Sequence, residues 1–416
     1  MSGSVLQPAH PLTIVIAGGG NAAHVLLGLL GSNPAYKVRL WNVMTKEVAV
    51  WEEAFKETQN TVVTDFTDDK PEISGQVELI SAEAADVVPG CDLLLLAVPA
   101  FAHEVYLKGA APFVTPGMTI GCMVAEGGYD WGIREALGEE KFSQVVTFAM
   151  ETLPWACRLK EYGRSSVIQG TKDQVRVAVT PRSSMEDVLG FLNVTIAVGH
   201  PGQSHRMPEF KPLGCYLAAS LSNINAYFHP AIVYGEFHDW DGVTPFPEAP
   251  LFYEGVKDTA ADLIMGVSKD CQRIKAALMT RMPSLDLEAV MPIDEFFLGF
   301  YPHDIQDKSS LERALVTNRA YKGLKHSMVE RKEGGFVPNW NARYLTEDIP
   351  YGLTTIKGIA DILGVDTPVL DKVIDWSQHK MGKTYLVNGR LTGEDVGECR
   401  CPQRYGITTV ENMVTL

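Results

Sequence analysis

Apolar and polar positions along residues 12–150 follow a pattern typical of buried strands separated by amphipathic helices. Short continuous apolar runs predict strands covered on both faces, and longer periodic runs such as Ala23–Leu30 and Val48–Phe55 predict helices. Because strand and helix alternate, we expect a doubly wound parallel sheet of the Rossmann type with helices on both faces. The predicted strands are Ile14–Ala17, Lys37–Trp41, Val77–Ile80, Cys91–Val98, Met118–Val124 and Gln144–Ala149.

Two regions interrupt this alternation. The polar stretch Thr58–Ser74 is predicted to be a surface insertion. After residue 150, Val175–Val179 and Val194–Val198 predict further short strands, and the loop His200–His205 has the composition of a hinge.

Helical patterns prevail in the second half of the chain, so we predict an N-terminal domain over residues 1–205 and a mainly α-helical domain over 206–416. A substrate cleft is expected between them, closing about the hinge-like loop. The predicted helices are Leu213–Phe228, Pro250–Ala277, Ile293–Phe300, Ser310–Tyr321, Pro350–Leu363 and Thr367–Lys380.

The formal net charge of −15 argues against nucleic acid or an anionic membrane as a partner. The first eleven residues are polar, unlike a signal peptide, and the longest apolar runs are too short to span a bilayer. Seven scattered cysteines without a C-x-x-C pair favour a reduced, cytoplasmic protein and predict no metal site.

A glycine-rich turn follows the first predicted strand. Gly18, Gly20 and Ala23 fit G-x-G-x-x-G/A, in which small residues allow a tight turn, a close pyrophosphate and close helix packing. Together with Asn21 they are the candidate cofactor-binding residues of the loop, and the helix N-terminus would face the anion. The alternative is a plain glycine turn.

The end of the second strand lacks the acidic residue that usually binds the adenosine ribose. Asn42 stands there and could either bond a ribose hydroxyl or cap a turn. The absence of a following arginine favours NAD over NADP. Pro99 follows a buried strand at the edge where cofactors bind, so it is also a candidate contact.

Polar residues in the second half are candidates for chemistry. His229 is predicted to end the apolar helix Leu213–Phe228, with Asn225 one turn earlier on the same face. Arg343 and Asp348 precede a helix that Pro350 can open. The alternatives are a histidine bonded to terminal carbonyls and an aspartate that caps the helix.

Over nearly its full length the chain resembles the opine dehydrogenases of marine invertebrates. The resemblance rests on stretches of unusual composition, namely Gly18–His24, Val98–Glu104, Glu151–Arg158, Phe228–Ile232, Trp240–Tyr253, His303–Asp307, Arg343–Gly352 and Cys401–Gly406. It implies a helical substrate domain, a monomer, and an NADH-dependent condensation of pyruvate with an amino acid that regenerates NAD in anaerobic metabolism.

The same resemblance implies roles for individual residues. The family's catalytic pair of histidine and aspartate corresponds to His229 and Asp348, whose hydrogen bond would orient the imidazole. Arg343 corresponds to the arginine that binds a carboxylate. Glu151, Thr152 and Cys157 match positions near the substrate sites.

Three positions depart from the octopine-forming members of that family. Glu126 stands where those members have glutamine, Asn223 where they have methionine, and Phe296 where they have tryptophan. The departures surround the amino-acid pocket, so alanine, glycine, β-alanine and taurine are candidates alongside arginine. Other open hypotheses are a 2-keto acid or polyol-phosphate dehydrogenase that uses no amine, and a non-catalytic dinucleotide sensor.

Overall fold

The computed structural model describes residue 6 and residues 11–67, 71–196, 208–300 and 304–414. Its contacts divide the described chain into two units, of which the first contains residues up to 125 together with 129–219. The second contains residues 126–128 and 220–414. The predicted boundary at residues 205 and 206, and the hinge-like loop before it, lie outside the described residues.

The first unit alternates strands and helices. Its strands are β1 (Leu12–Ala17), β2 (Tyr36–Trp41), β3 (Thr61–Phe66), β4 (Ile73–Gln76), β5 (Leu79–Ser81), β6 (Leu93–Leu96), β7 (Thr119–Cys122), β8 (Val146–Met150), β9 (Trp155–Glu161), β10 (Ser165–Thr171), β11 (Gln174–Thr180) and β12 (Glu209–Pro212). Its helices are α1 (Asn21–Gly31), α2 (Thr45–Thr58), α3 (Ala84–Val87), α4 (Ala100–Ala110), α5 (Tyr129–Leu137), α6 (Glu139–Phe142) and α7 (Met185–Thr195).

Eight of the described strands form one sheet in the order β12-β11-β8-β7-β6-β1-β2-β5. Within this order, the six neighbouring strands β8, β7, β6, β1, β2 and β5 pair in parallel. Strand β11 adds antiparallel to β8. Every residue of β1 and β6 is buried, as expected for strands covered on both faces. The predicted doubly wound sheet is therefore confirmed.

The stretch predicted to be a surface insertion is instead structured. Strand β3 lies within it and β4 begins in it, and together with β9 and β10 they form a second sheet of order β4-β3-β10-β9. Val62, Thr64 and Phe66 are buried while their neighbours are not, which is the period-2 pattern of a half-covered strand. The prediction was wrong because polar residues between the buried positions hid this alternation.

The predicted strand Val194–Val198 was also wrong for residues 194–196, which the structure describes. Val194 belongs to α7, and Ile196 follows that helix with its backbone N–H bonded to Leu192 O at 2.9 Å. Residues 197 and 198 lie outside the described residues. The helix extends this far because its apolar face, including Phe191 and Leu192, packs into the core.

From residue 216 onwards the described elements are mainly helical, as predicted. The helices are α8 (Tyr216–Leu221), α9 (Ile224–Phe237), α10 (Asp258–Arg281), α11 (Ile293–Phe300), α12 (Leu311–Val316), α13 (Arg343–Thr346), α14 (Thr354–Leu363), α15 (Pro368–Met381) and α16 (Val410–Met413). Two small hairpins accompany them, β13 (Met328–Glu330) with β14 (Phe336–Pro338) and β15 (Leu386–Val387) with β16 (Arg390–Leu391).

Three of the predicted helices differ in their bounds. The predicted helix Ser310–Tyr321 ends at Val316, and a separate short turn follows at Arg319–Tyr321. The predicted helix Leu213–Phe228 is broken, because the Asn223 side chain caps a new helix by accepting from Ala226 N at 3.4 Å. The predicted helix from Pro250 begins only at Asp258, since Pro250 and Leu251 pair with the segment around Lys325 instead. In the part of the chain that the structure describes, no helix is both long and apolar enough to cross a bilayer.

Candidate active site

The glycine loop after β1 has the conformation that its sequence predicts. Gly18 has φ +119°, and a Cβ there would lie 2.5 Å from Val98 Cγ1, so both backbone and space require glycine. At Gly20, in contrast, an added Cβ would meet no atom within 4 Å. This open space lies at the start of α1, whose first turn has no side-chain cap at Gly20. A pyrophosphate fits such a cradle, because the exposed amides of the first turn attract anions.

His24 connects the loop to the turn between β9 and β10. Its Nδ1 donates to Gly20 O at 2.9 Å, and its Nε2 accepts from Gly163 N at 2.9 Å. Burial lowers the pKa of His24 to about 4, so the ring is neutral at physiological pH. The neutral ring is the form that can donate at one nitrogen and accept at the other.

Asn42 caps the turn that precedes α2. Its Oδ1 accepts from Met44 N at 3.1 Å, and its Nδ2 donates to Glu47 Oε2 at 2.7 Å. The turn-capping alternative is thus present in the structure, while a ribose contact by Asn42 stays a prediction. Pro99 is the extended residue before α4, directly beyond the carboxyl end of β6.

His229 and Asp348 are brought together in the second unit. His229 Nδ1 lies 2.8 Å from Asp348 Oδ2, although the residues are 119 apart in sequence. His229 lies inside α9 rather than at the end of a helix, and Asp348 makes no side-chain cap to the helical turn that follows it. The predicted hydrogen bond is therefore present, and both capping alternatives are wrong. Asn225 is exposed and is no part of the pair.

Aromatic rings surround the His229 imidazole. The Tyr253 hydroxyl lies 3.2 Å from His229 Nε2, and the Tyr344 ring centroid is 4.3 Å from the imidazole centroid. Burial raises the pKa of the Asp348 carboxyl, and the hydrogen-bonded histidine opposes that rise. With Nδ1 donating to the carboxylate, Nε2 faces a hydroxyl oxygen and is placed to exchange a proton with it. Sequence reasoning did not single out Tyr253, which no spacing rule connects to His229.

Arg343 forms an ion pair one helical turn along the chain. Its Nε lies 2.6 Å from Glu347 Oε2, and its Nη2 contacts the same oxygen. The Arg343 side chain is 64% exposed, whereas that of Glu347 is 7% exposed. Glu347 therefore anchors one edge of the guanidinium and leaves Nη1 available to an external carboxylate. The i, i+4 spacing of the two residues was the available sequence signal for this partner.

Glu126 and Asn223 form a second buried polar pair. Asn223 Nδ2 donates to Glu126 Oε2, and Glu126 has the left-handed backbone angle φ +47°. Burial, with Asp348 and Glu347 nearby, raises the pKa of Glu126 to about 8, against the opposing effects of Asn223 and Arg400. Glu126 is therefore mostly protonated at neutral pH, and a protonated carboxyl resembles the amide of glutamine in shape and hydrogen bonding.

Glu151 and Thr152 lie beyond the carboxyl end of β8. Glu151 Oε1 accepts from Arg176 N at 3.0 Å, and Lys172 Nζ donates to Thr152 Oγ1 at 2.8 Å. Burial raises the pKa of Glu151 and lowers the pKa of Lys172 to about 8. Sequence reasoning missed Lys172 and Arg176. Only the pairing of β11 with β8 brings Arg176 close to Glu151, and only the pairing of β10 with β9 brings Lys172 close to Thr152.

Cys157 is placed differently from the other candidates. It pairs with Ile168 in the second sheet, is 2% exposed and belongs to the apolar core. Burial raises the pKa of its thiol to about 11, so the group is un-ionised. This placement gives no support to a contact between Cys157 and substrate. All seven cysteines are within the described ranges, and none of them forms a disulfide.

The fold, the glycine loop and the pair of His229 and Asp348 together define the class of protein. A doubly wound sheet with a dinucleotide-type glycine loop, followed by a helical unit that holds a histidine–aspartate pair, is the plan of a two-domain NAD-linked dehydrogenase. A family profile described as NAD/NADP octopine/nopaline dehydrogenase, alpha-helical domain, matches residues 212–381.

Curated relatives and solved structures agree with this class. Octopine dehydrogenase of Pecten maximus is 38% identical over 404 residues, which cover 97% of this chain and 98% of that protein. Tauropine dehydrogenase of Arabella iricolor is 35% identical, with 97% of this chain and 100% of that protein covered. A structure of octopine dehydrogenase with NADH and L-arginine superposes with a TM-score of 0.86 at 35% identity, covering 97% of this chain and 98% of the other. The chain belongs to the opine dehydrogenase family of NAD-dependent oxidoreductases.

Proposed function

We propose that this protein condenses pyruvate with a small amino acid or taurine, and reduces the product to an N-(1-carboxyethyl) compound. The reaction consumes pyruvate, the amine, NADH and one proton, and it yields the opine, NAD⁺ and water. The observation that carries the proposal is the 2.8 Å contact between His229 Nδ1 and Asp348 Oδ2, which leaves Nε2 directed at a hydroxyl oxygen.

His229 is proposed to act as general acid and base. Its Nε2 would donate a proton to the pyruvate keto oxygen as the amine adds, and assist the departure of that oxygen as water. Asp348 holds Nδ1 and stabilises the imidazolium while the ring carries two protons. The Tyr253 hydroxyl lies 3.2 Å from Nε2, so this nitrogen is within hydrogen-bonding reach of an oxygen, which supports its proposed role in proton transfer.

Arg343 is proposed to bind the pyruvate carboxylate. Glu347 holds Nε and one side of Nη2, so Nη1 and the second N–H of Nη2 are oriented before substrate arrives. A planar guanidinium offers two parallel N–H groups to a carboxylate, which sets the direction of the keto group as well as the affinity.

Glu126 and Asn223 are proposed to contact the amino substrate. Their mutual hydrogen bond fixes both side chains. A protonated Glu126 places no extra negative charge beside the pyruvate carboxylate at neutral pH. Thr152 and Glu151, with Lys172 and Arg176 beside them, form a separate polar cluster in the first unit, and we propose Thr152 and Glu151 as further substrate-binding residues.

Gly18, Gly20, Asn21 and Ala23 are proposed to form the loop and helix start that hold the cofactor pyrophosphate. The open space at Gly20 and the uncapped first turn of α1 support this assignment. When bound, NADH supplies the hydride that reduces the carbon–nitrogen double bond. We further propose that the protein is a cytoplasmic monomer. The seven cysteines form no disulfide among the described residues, which favours a reducing compartment. Gel filtration with light scattering tests the oligomeric state.

Oxidation of NADH in the presence of pyruvate and a panel of amines tests the reaction. The panel is arginine, alanine, glycine, β-alanine and taurine. Turnover that requires both pyruvate and one amine, with an N-(1-carboxyethyl) product in the mass spectrum, supports the proposal. Equal turnover with pyruvate alone would instead indicate a 2-keto acid dehydrogenase, and NADH binding without turnover a non-catalytic sensor.

A further inference from the structure

The acidic residue expected at the end of β2 is absent from the sequence, but the fold supplies a carboxylate at the same loop. Glu47 lies in the first turn of α2 and accepts two hydrogen bonds at Oε2. Asn42 Nδ2 donates from 2.7 Å and the Tyr162 hydroxyl from 2.6 Å. The carboxylate is thus held from the turn after β2 on one side and from the β9–β10 turn on the other.

This carboxylate lies directly beside the glycine loop. A Cβ added at Gly19 would lie 3.0 Å from Glu47 Oε2, 2.3 Å from Asn42 Nδ2 and 2.7 Å from the Tyr162 hydroxyl. The three polar groups therefore contact the loop at the residue between the two fingerprint glycines. In the dinucleotide fold, the ribose of the adenosine half lies next to this loop, at the end of the second strand.

Only one of the two Glu47 oxygens is used by the protein. Among the described residues, no donor reaches Glu47 Oε1, and the side chain is only partly buried. The free oxygen can accept from an external hydroxyl. The nearby basic side chain of β2 is engaged elsewhere, because Arg39 donates to Glu78 and to the carbonyls of Val87 and Pro89.

We propose that Glu47, held by Asn42 and Tyr162, binds the adenosine ribose diol and selects NADH over NADPH. A diol donates hydrogen bonds to a carboxylate, which is an acceptor only. A 2′-phosphate has no such proton and brings about two negative charges next to Glu47, so it is repelled. Asn42 acts in this arrangement by positioning the carboxylate rather than as the main ribose ligand.

Binding of NADH and NADPH to the substrate-free protein tests this proposal without any turnover. Titration calorimetry gives the two Kd values, and we expect NADH to bind at least about 10²-fold more tightly in the wild type. Glu47→Gln should weaken NADH binding about tenfold, because it removes a charged acceptor for the ribose hydroxyls. It should also reduce the preference for NADH over NADPH at least about tenfold, because the repulsion between Glu47 and the 2′-phosphate is lost. Glu47→Asp keeps the charge, so it should weaken NADH while still rejecting NADPH.

Two controls separate ribose recognition from support of the loop. Glu52→Gln changes an acid on the same helix and should leave both Kd values unchanged. Adenosine 5′-monophosphate and adenosine 2′,5′-bisphosphate differ only in the 2′-phosphate, so they test recognition of the ribose alone. Glu47→Gln should change the ratio of their Kd values as it changes the ratio for NADH and NADPH. Thermal unfolding establishes that each variant is folded. A wild type that binds both cofactors equally, or a Glu47→Gln variant that weakens both by the same factor, would overturn the proposal.

Discussion

His229 Nδ1 and Asp348 Oδ2 lie 2.8 Å apart, and neither residue uses its side chain to cap a helix end. The carboxylate is buried and has the imidazole as its hydrogen-bond partner. A buried ionised carboxylate without such a partner would be strongly unfavourable. The pair is therefore a unit, and its two members should respond together to mutation.

Substitutions in this pair should affect kcat far more than KM. His229→Gln retains a hydrogen-bonding side chain without proton transfer, so kcat should fall about 10²–10⁴-fold. Asp348→Asn should lose a similar amount, and the double variant little more, because the groups act as one. Steady-state kinetics measure all three, with His379→Gln at an exposed histidine as the control. Additive losses in the double variant would show that the residues act separately.

Arg343→Lys should raise the KM for pyruvate. An ammonium cannot keep the contact with Glu347 and also present a planar pair of N–H groups to a carboxylate, so we expect an increase of about 10- to 100-fold. The KM for the amine and the Kd for NADH should change little. Arg313→Lys, at a surface pair with Asp307, is the matched control. An unchanged pyruvate KM would remove Arg343 from the site.

Glu126→Gln should leave activity at pH 7 almost unchanged and alter its pH dependence. In the wild type, loss of the Glu126 proton near pH 8 puts a negative charge beside Asp348, so pyruvate KM should rise above that pH. The glutamine variant should lack this rise. Glu135→Gln, at an exposed acid, is the control. A wild type and a variant with the same pH profile would show that Glu126 does not titrate in this range.

The pH dependence of the free energy of unfolding should also depend on Glu126. The folded protein keeps the Glu126 proton up to about pH 8, whereas the unfolded chain releases it near the ordinary value of 4.5. Between these pH values the folded state binds more protons, so the free energy of unfolding contributed by Glu126 falls as pH rises. Urea unfolding at pH 5 and at pH 8 should show a smaller decrease in Glu126→Gln than in the wild type.

Gly20→Val should abolish NADH binding while the fold survives. The added side chain meets no protein atom within 4 Å of its Cβ, so it occupies only the space assigned to the pyrophosphate. Calorimetry should show a loss of affinity with little change in Tm. Gly190→Val is the control, because a Cβ there also meets no atom within 4 Å. Gly18→Ala should instead lower Tm, because Gly18 has a φ of +119° and its added Cβ would contact Val98. Unchanged NADH affinity in Gly20→Val would refute the loop assignment.

The amino-acid sequence alone determined the parallel sheet, the glycine loop and the helical character of the second half. These features depend on local patterns, namely continuous apolar runs, the φ that only glycine adopts easily and the 3.6-residue period of helices. The resemblance also implies that His229 and Asp348 form the catalytic pair. Local patterns failed for β3, whose polar residues read as part of an insertion although every second side chain is buried.

Tertiary structure decided which side chains meet and therefore which of them can act together. Glu47 and Tyr162 are 115 residues apart, and only the packing of the β9–β10 turn against the glycine loop brings them within 2.6 Å. The pKa of Glu126 near 8 likewise arises from burial beside Asp348 and Glu347. Desolvation and charge–charge interactions depend on distances in space, which a linear pattern of residues does not contain.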